Sequence, residues 1–266
     1  MRKRLLHILL CALFLSVGLA SQAADPIRVA CVGNSITAGS GINTDSEKYP
    51  SQLQKILGDG YKVSNFGSSG ATAQTISDSE SYIKRDVYPR ALAFDPNIVI
   101  IKLGTNDAKA ANWTGPERFK TDMRTIINSF RDLDTHPQIY LCLPLRTIKS
   151  DFGILETNIH KIIPAIYELG EEYNIPVINL HTVMEEALGA DWETAYNDGV
   201  HPNPTGTRIM AERIADAILN ANYGTYDPAH TPRKVQVVSC IGGSRLKTGV
   251  NTDQYYPAVL QTLSNG

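Results

Sequence analysis

The chain has 266 residues, a formal net charge of −2 and a hydrophobic content of 42%. That supplies apolar material for one well-packed core with room for a small addition. With so little net charge of either sign, the sequence carries no electrostatic footprint for nucleic acid or an anionic membrane surface.

In chain order, Arg2-Lys3-Arg4 precedes an apolar run over 5–20 and then Ser21-Gln22-Ala23. This is the order of a secretory signal, expected to be cleaved after Ala23, so residues 1–23 stand outside the fold and the protein is expected to be secreted or periplasmic. The alternative, a membrane anchor, is disfavoured because the run is short for a span of about 20 residues and contains His7. No stable membrane insertion is therefore expected once the signal is removed. Leu10 before Cys11 is not the small residue that a lipoprotein site needs.

Residues 27–32 form a continuous apolar run closed by Gly33, as suits a strand buried on both faces. Apolar positions Tyr49, Leu53, Ile56 and Leu57 predict a helix with one buried face, and 61–66 a second strand ending in Gly67-Ser68-Ser69-Gly70. A polar helix is expected around 75–88, followed by the least ambiguous strand, 98–103. The remaining pattern gives helix 116–133, strand 138–143, helix 154–173 containing Pro164, strand 176–180 and helix 204–219. Strands alternating with helices of ten or more residues imply an α/β fold: a three-layer, doubly wound sandwich around a mostly five-stranded parallel sheet. In such sheets ligands bind beyond the carboxyl ends of the strands.

This domain covers 25–224, with a linker-like 225–234 rich in proline and turn formers. Beyond it, 235–266 repeats the start of the domain. Val238-Ser239-Cys240-Ile241-Gly242-Gly243-Ser244 echoes Val29-Ala30-Cys31-Val32-Gly33-Asn34-Ser35, and Tyr256-Pro257 echoes Tyr49-Pro50. A lone strand-helix unit cannot bury its own apolar face, so the repeat reads as a truncated, non-catalytic remnant, or else as an extra edge strand. Three cysteines follow the leader, and Cys31, Cys142 and Cys240 all lie in strand-like runs, which favours buried thiols over a disulfide framework.

The chemistry gathers at the strand ends. Ser35 follows the first strand, Gly67 the second and Asn106 the third, while Asp198 and His201 precede the last helix. A serine hydroxyl needs a neighbouring base to attack an ester, which His201 can supply, and Asp198 can hold the far ring nitrogen. The amides of Ser35 and Gly67 and the side chain of Asn106 are of the right type for an oxyanion hole. Each also has a bland reading: Asp-x-x-His as a surface loop, Gly67 as a turn residue, Asn106 as a cap. Ser69, in Gly67-Ser68-Ser69-Gly70-Ala71, approximates a nucleophile elbow and is a rival to Ser35.

Four ordered blocks carry a more specific likeness: Gly33-Asn34-Ser35-Ile36-Thr37, Asn65-Phe66-Gly67, Gly104-Thr105-Asn106-Asp107 and Asp198-Gly199-Val200-His201. On these the chain resembles the SGNH hydrolases of the GDSL esterase superfamily, over about 27–220. The resemblance implies a flavodoxin-like SGNH fold, Ser35 as nucleophile, Asp198 and His201 as its triad partners, and Ser35, Gly67 and Asn106 as oxyanion donors. Asn34 departs from the aspartate usual in the family; that position is not the triad acid, so the chemistry is expected to survive with an altered turn or pKa environment. Residues 102–107 and Asn112-Trp113 are similar to secreted bacterial carbohydrate acetylesterases of the sialate O-acetylesterase-like and acetylxylan esterase-like kinds.

The expected function is thus hydrolysis of short acyl esters, O-acetyl above all, on a small-molecule or glycan substrate. A broader short-chain esterase, thioesterase or lysophospholipase, and a non-catalytic carbohydrate binder, stand as alternatives. Trp113 either stacks on a sugar or caps the core, and Arg146 either meets a substrate carboxylate or is a surface charge. His136, His160, His181 and His230 show no metal-ligand spacing in the sequence, so neither a metal nor a cofactor is expected.

Overall fold

The computed structural model describes residues 25–148 and 152–225. The proposed leader, the repeat around Ser244 and Cys240 lie outside the described residues.

Five strands form one parallel sheet in the order β2-β1-β3-β4-β5, with β1 at Ile27–Gly33, β2 at Tyr61–Gly67, β3 at Ile98–Lys102, β4 at Gln138–Cys142 and β5 at Val177–Ile178. The helices are α1 (Ser35–Ala38), α2 (Tyr49–Leu57), α3 (Val87–Ala93), α4 (Pro116–Arg131), α5 (Glu156–Tyr173), α6 (Val183–Leu188) and α7 (Pro204–Asn220). The expected three-layer α/β sandwich is therefore present.

Why two layers of helix are needed follows from the period-two alternation of strands that carry apolar side chains on both faces. Ala30, Val32, Val99, Ile101, Ile139 and Leu141 point into one core with Phe119, Met123 and Ile126 of α4 and Ile159 and Ile162 of α5. Val29, Cys31, Ile98, Ile100, Tyr140 and Cys142 point into the other, against Tyr49 and Leu53 of α2 and Ile209, Met210 and Ile214 of α7. Cys31 and Cys142 are buried free thiols, and burial pushes both up to about 12, which leaves them unreactive at neutral pH.

Two elements differ from their sequence expectation. The stretch 75–88 is not a helix: a loop leads to a short 3-10 turn at Tyr82–Lys84 and then α3. Its polar groups bond locally instead, with Ser81 Oγ donating to the Ser77 carbonyl at 2.5 Å and the Glu80 amide to Ser77 Oγ at 3.2 Å. Two buried carboxylates hold the loop's entry, since Asp107 accepts from the amides of Ala73 and Gln74 and Asp122 from that of Thr75. β5 is shorter than expected, because at the sheet edge only Val177 and Ile178 pair with β4. Ile56, placed on the buried face of α2 by its spacing, is exposed.

The strand order reverses between β1 and β3, the point where a doubly wound sheet opens a crevice at its carboxyl edge. Gly33 pairs in register with Gly67 on one side and Lys102 on the other. The loops carrying Ser35, Gly67 and Asn106 therefore leave the sheet at one level.

Candidate active site

Ser35 is the first residue of the one-turn helix α1. Asn34 caps that turn, its Oδ1 accepting the Ile36 amide at 3.1 Å, and Gly39 in the left-handed region closes it. Asn34 thus supplies the acceptor an aspartate would supply, without placing a charge at a fully buried position. The turn expected to be altered is a regular cap. At the first helical position the Ser35 amide is one of the donors a helix leaves without an intrahelical partner.

His201 Nε2 lies 2.9 Å from Ser35 Oγ, and His201 Nδ1 lies 2.8 Å from Asp198 Oδ2. The other oxygen of Asp198 accepts from the amides of His201 (2.7 Å) and Val200 (3.0 Å). Partial burial pushes the Asp198 carboxyl up, but the His201 amide, the His201 ring and the Val200 amide outweigh it and hold the group below its ordinary range. An ionised Asp198 fixes Nδ1–H toward itself and leaves the Nε2 lone pair facing the serine hydroxyl.

The turn bearing these residues is held on several sides. Gly199 takes φ +82°, a conformation that favours glycine, and its carbonyl accepts the Ile148 amide at 2.8 Å. Asn197 reaches Gly41 at 3.1 Å, Tyr196 Oη donates to the Arg146 carbonyl at 2.7 Å, and Asn203 caps α7 through the amides of Thr205 and Gly206. The rival Ser69 is exposed, and its hydroxyl meets Ser40 Oγ at 3.0 Å rather than an imidazole.

Asn106 is nearly buried, and one of its side-chain N–H groups donates to the Ala71 carbonyl at 3.0 Å, which fixes the amide plane and leaves a second N–H for another acceptor. Asp107 beside it is fully buried. Its carboxylate accepts from the amides of Gly104, Ala73 and Gln74, tying the loop after β3 to the loop after β2. Burial pushes Asp107 up to about 6, against those donors, which favour its charged form. Gly67 has no room for a side chain: a Cβ would meet the Ala38 backbone nitrogen at 2.1 Å. Its amide donates to Asn65 Oδ1 at 2.9 Å, so oxyanion duty would require that exposed side chain to give way.

Trp113 packs half-buried beside Phe119, with ring centroids 6.4 Å apart. Arg146 pairs with Glu185 and lies over the Trp192 ring at 5.4 Å, so its charge is already met. Sequence reasoning missed Phe152, exposed and edge-on to the His201 ring at 5.1 Å. A single aromatic in a polar loop was the available signal. It also missed a grouping that sequence spacing did not show: Glu156, His160 and His181 converge.

A parallel doubly wound sheet with a hydrogen-bonded Ser-His-Asp line at the carboxyl edge of its first strand is the SGNH hydrolase architecture. Residues 31–209 match the model of the GDSL-like lipase/acylhydrolase family, and the chain belongs to that family. An acetylxylan esterase of Xylanibacter ruminicola is 40% identical over 213 residues, which is 73% of this chain and 43% of that protein. A GDSL esterase/lipase of Oryza sativa subsp. japonica is 24% identical over 52% of this chain and 59% of its own length. The chain thus spans less than two thirds of these curated relatives. Among solved structures, a carbohydrate acetylesterase family member from Sinorhizobium meliloti aligns with TM-score 0.57 at 20% identity, covering 72% of this chain and 97% of that one. The aryl esterase of M. smegmatis aligns with TM-score 0.58 at 19% identity, over 72% and 98%. At such identities the likeness bears on the fold.

Proposed function

We propose that the protein is a serine esterase that removes short acyl groups, O-acetyl in particular, from carbohydrate esters through an acyl-serine intermediate. The observation that carries this reading is the unbroken hydrogen-bonded line from Asp198 through His201 to Ser35 Oγ. His201 Nε2 takes the hydroxyl proton as Ser35 Oγ bonds to the ester carbonyl carbon. The oxyanion that forms is met by the Ser35 amide, the free N–H of Asn106 and, once released from Asn65, the Gly67 amide. The imidazolium then gives its proton to the departing alcohol oxygen as the C–O bond breaks. Water repeats the sequence on the acyl-serine, releasing the acid and restoring Ser35.

The acetyl and carbohydrate parts rest on the similarity to the acetylxylan esterase. Export rests on the leader-like residues 1–23, and N-terminal sequencing of the protein recovered outside the cytoplasm tests it. A broader short-chain esterase is the second reading, favoured by the exposed Phe152 against His201, an apolar surface that many small acyl or aryl esters could meet.

Turnover of p-nitrophenyl acetate, butyrate and octanoate, alongside acetate release from acetylated xylan, separates the readings. Acetate should be preferred, with acetate also released from the glycan. Preference for octanoate would sink the acetylesterase reading, and turnover no greater than that of Ser35→Ala would sink catalysis altogether.

A further inference from the structure

Glu156 opens α5 and His160 follows four residues later, so both side chains lie on one face of the helix. His181 comes from the turn after β5 and meets them there. One ligand atom from each residue lies within 4.8 Å of the other two. The two contacts to Glu156 Oε1 are 3.7 Å from His160 Nε2 and 3.5 Å from His181 Nε2. Both are long for hydrogen bonds, and Glu156 Oε1 is a buried oxygen with no hydrogen-bond partner among the described residues.

Those separations suit a different bond. Ligand atoms about 2.1 Å from a tetrahedral zinc ion are about 3.4 Å from one another. Both glutamate–histidine edges are already near that value, and the histidine–histidine edge is no longer than 4.8 Å. The remaining polar atoms are arranged as outer partners. His181 Nδ1 lies 3.1 Å from the Pro144 carbonyl, which can only accept, so Nδ1 carries the proton and Nε2 presents its lone pair. Glu156 Oε2 accepts from Thr147 Oγ1 at 2.9 Å, which orients the carboxylate.

We propose that Glu156, His160 and His181 form a binding site for a divalent transition metal of the zinc class, with the remaining coordination position on the solvent side at the half-exposed His160. Two imidazoles and one carboxylate suit zinc and its neighbours and are poor ligands for magnesium or calcium. The metal would staple the connection between β4 and α5 to the turn after β5. That connection includes Thr147, bonded to Glu156, and Ile148, whose amide holds the Gly199 carbonyl in the Asp198–His201 turn. The site therefore stiffens the support of the active-site histidine and takes no part in bond breaking.

The test uses the full, untagged chain, stripped with EDTA and dialysed against zinc chloride, with bound metal counted by mass spectrometry. The stripped chain, titrated with Co2+, is followed by visible absorption. The expected result is about one zinc per chain, tetrahedral Co2+ bands, and a thermal midpoint raised by about 5 °C or more at saturating zinc. His160→Ala, at a half-exposed position, should keep the fold by circular dichroism and weaken binding at least about tenfold. Glu156→Gln should do the same while keeping an acceptor for Thr147, and His136→Ala should bind as the parent does. Stoichiometry near zero in the parent, or binding unchanged by both His160→Ala and Glu156→Gln, overturns the proposal.

Discussion

Lys102 closes β3 with its whole side chain buried, and its Nζ has no hydrogen-bond partner among the described residues. Burial lowers its pKa from 10.5 to about 8, with the neighbouring Cys142 acting weakly the other way. At pH 7 the amine is charged in both folded and unfolded chains, so the fold carries the cost of a buried ammonium. A fall from 10.5 to about 8 puts that cost at about 3 kcal/mol. Lys102→Met keeps an unbranched apolar stem and removes the charge, and should stabilise the protein by about that much at pH 7. Above pH 8 the folded chain binds fewer protons than the unfolded one, so the parent gains stability as pH rises toward 10.5. The advantage of the variant should shrink to about 2 kcal/mol at pH 9 and below about 1 at pH 10. Urea unfolding of both proteins at pH 7, 9 and 10 measures this. A variant no more stable than the parent at pH 7, or an advantage that does not change with pH, would refute the reasoning.

The choice between nucleophiles is settled by comparing Ser35→Ala with Ser69→Ala on p-nitrophenyl acetate. The first should lose about 10⁶-fold in kcat with an unchanged melting temperature, and the second should stay within a few-fold of the parent; full loss in the second alone would reverse the assignment. Gly67→Ala would push a methyl against the Ala38 backbone, so it should cost about 3 kcal/mol and shift α1, with activity falling beyond what the lost folded fraction explains. Chemical unfolding together with kcat on the folded fraction tests both effects. Asp198 is held below its ordinary range and stays ionised, and a charged imidazole cannot take the serine proton, so kcat/KM should fall as pH drops. A rate flat from pH 8 to below pH 5 would contradict a role for His201 as base.

Most of the scaffold was legible because its signals are local. The apolar run in 98–103 could bury both faces only between two helical layers, and the spacing of Phe119, Met123 and Ile126 could serve only one helix face. Where the sequence misled, side chains competed with the backbone over a range that periodicity does not see. A polar helix was expected around 75–88, yet the amide of Thr75 answers to Asp122 and those of Ala73 and Gln74 just before it to Asp107, 33 to 47 residues away. Trp113 and Arg146 each had two readings in the sequence, and the fold supplied packing partners, Phe119 and Glu185, that no local pattern announces.

The same distinction runs through the two sites. Ser35, Gly67, Asn106, Asp198 and His201 lie at strand ends and beside a helix start, positions that sequence patterns mark, and a parallel sheet sends strand ends to one rim. By itself the sequence therefore determined the sheet class, the rim and the residue types gathered there. The tertiary structure decided the 2.9 Å contact between His201 and Ser35, the placing of Ser69 beside Ser40, the engagement of the Gly67 amide by Asn65, and the approach of Phe152 to His201. It also joined His181 to a pair on α5, Glu156 and His160, that stand 25 and 21 residues earlier, because chain separation says nothing of where a turn after an edge strand will meet a helix.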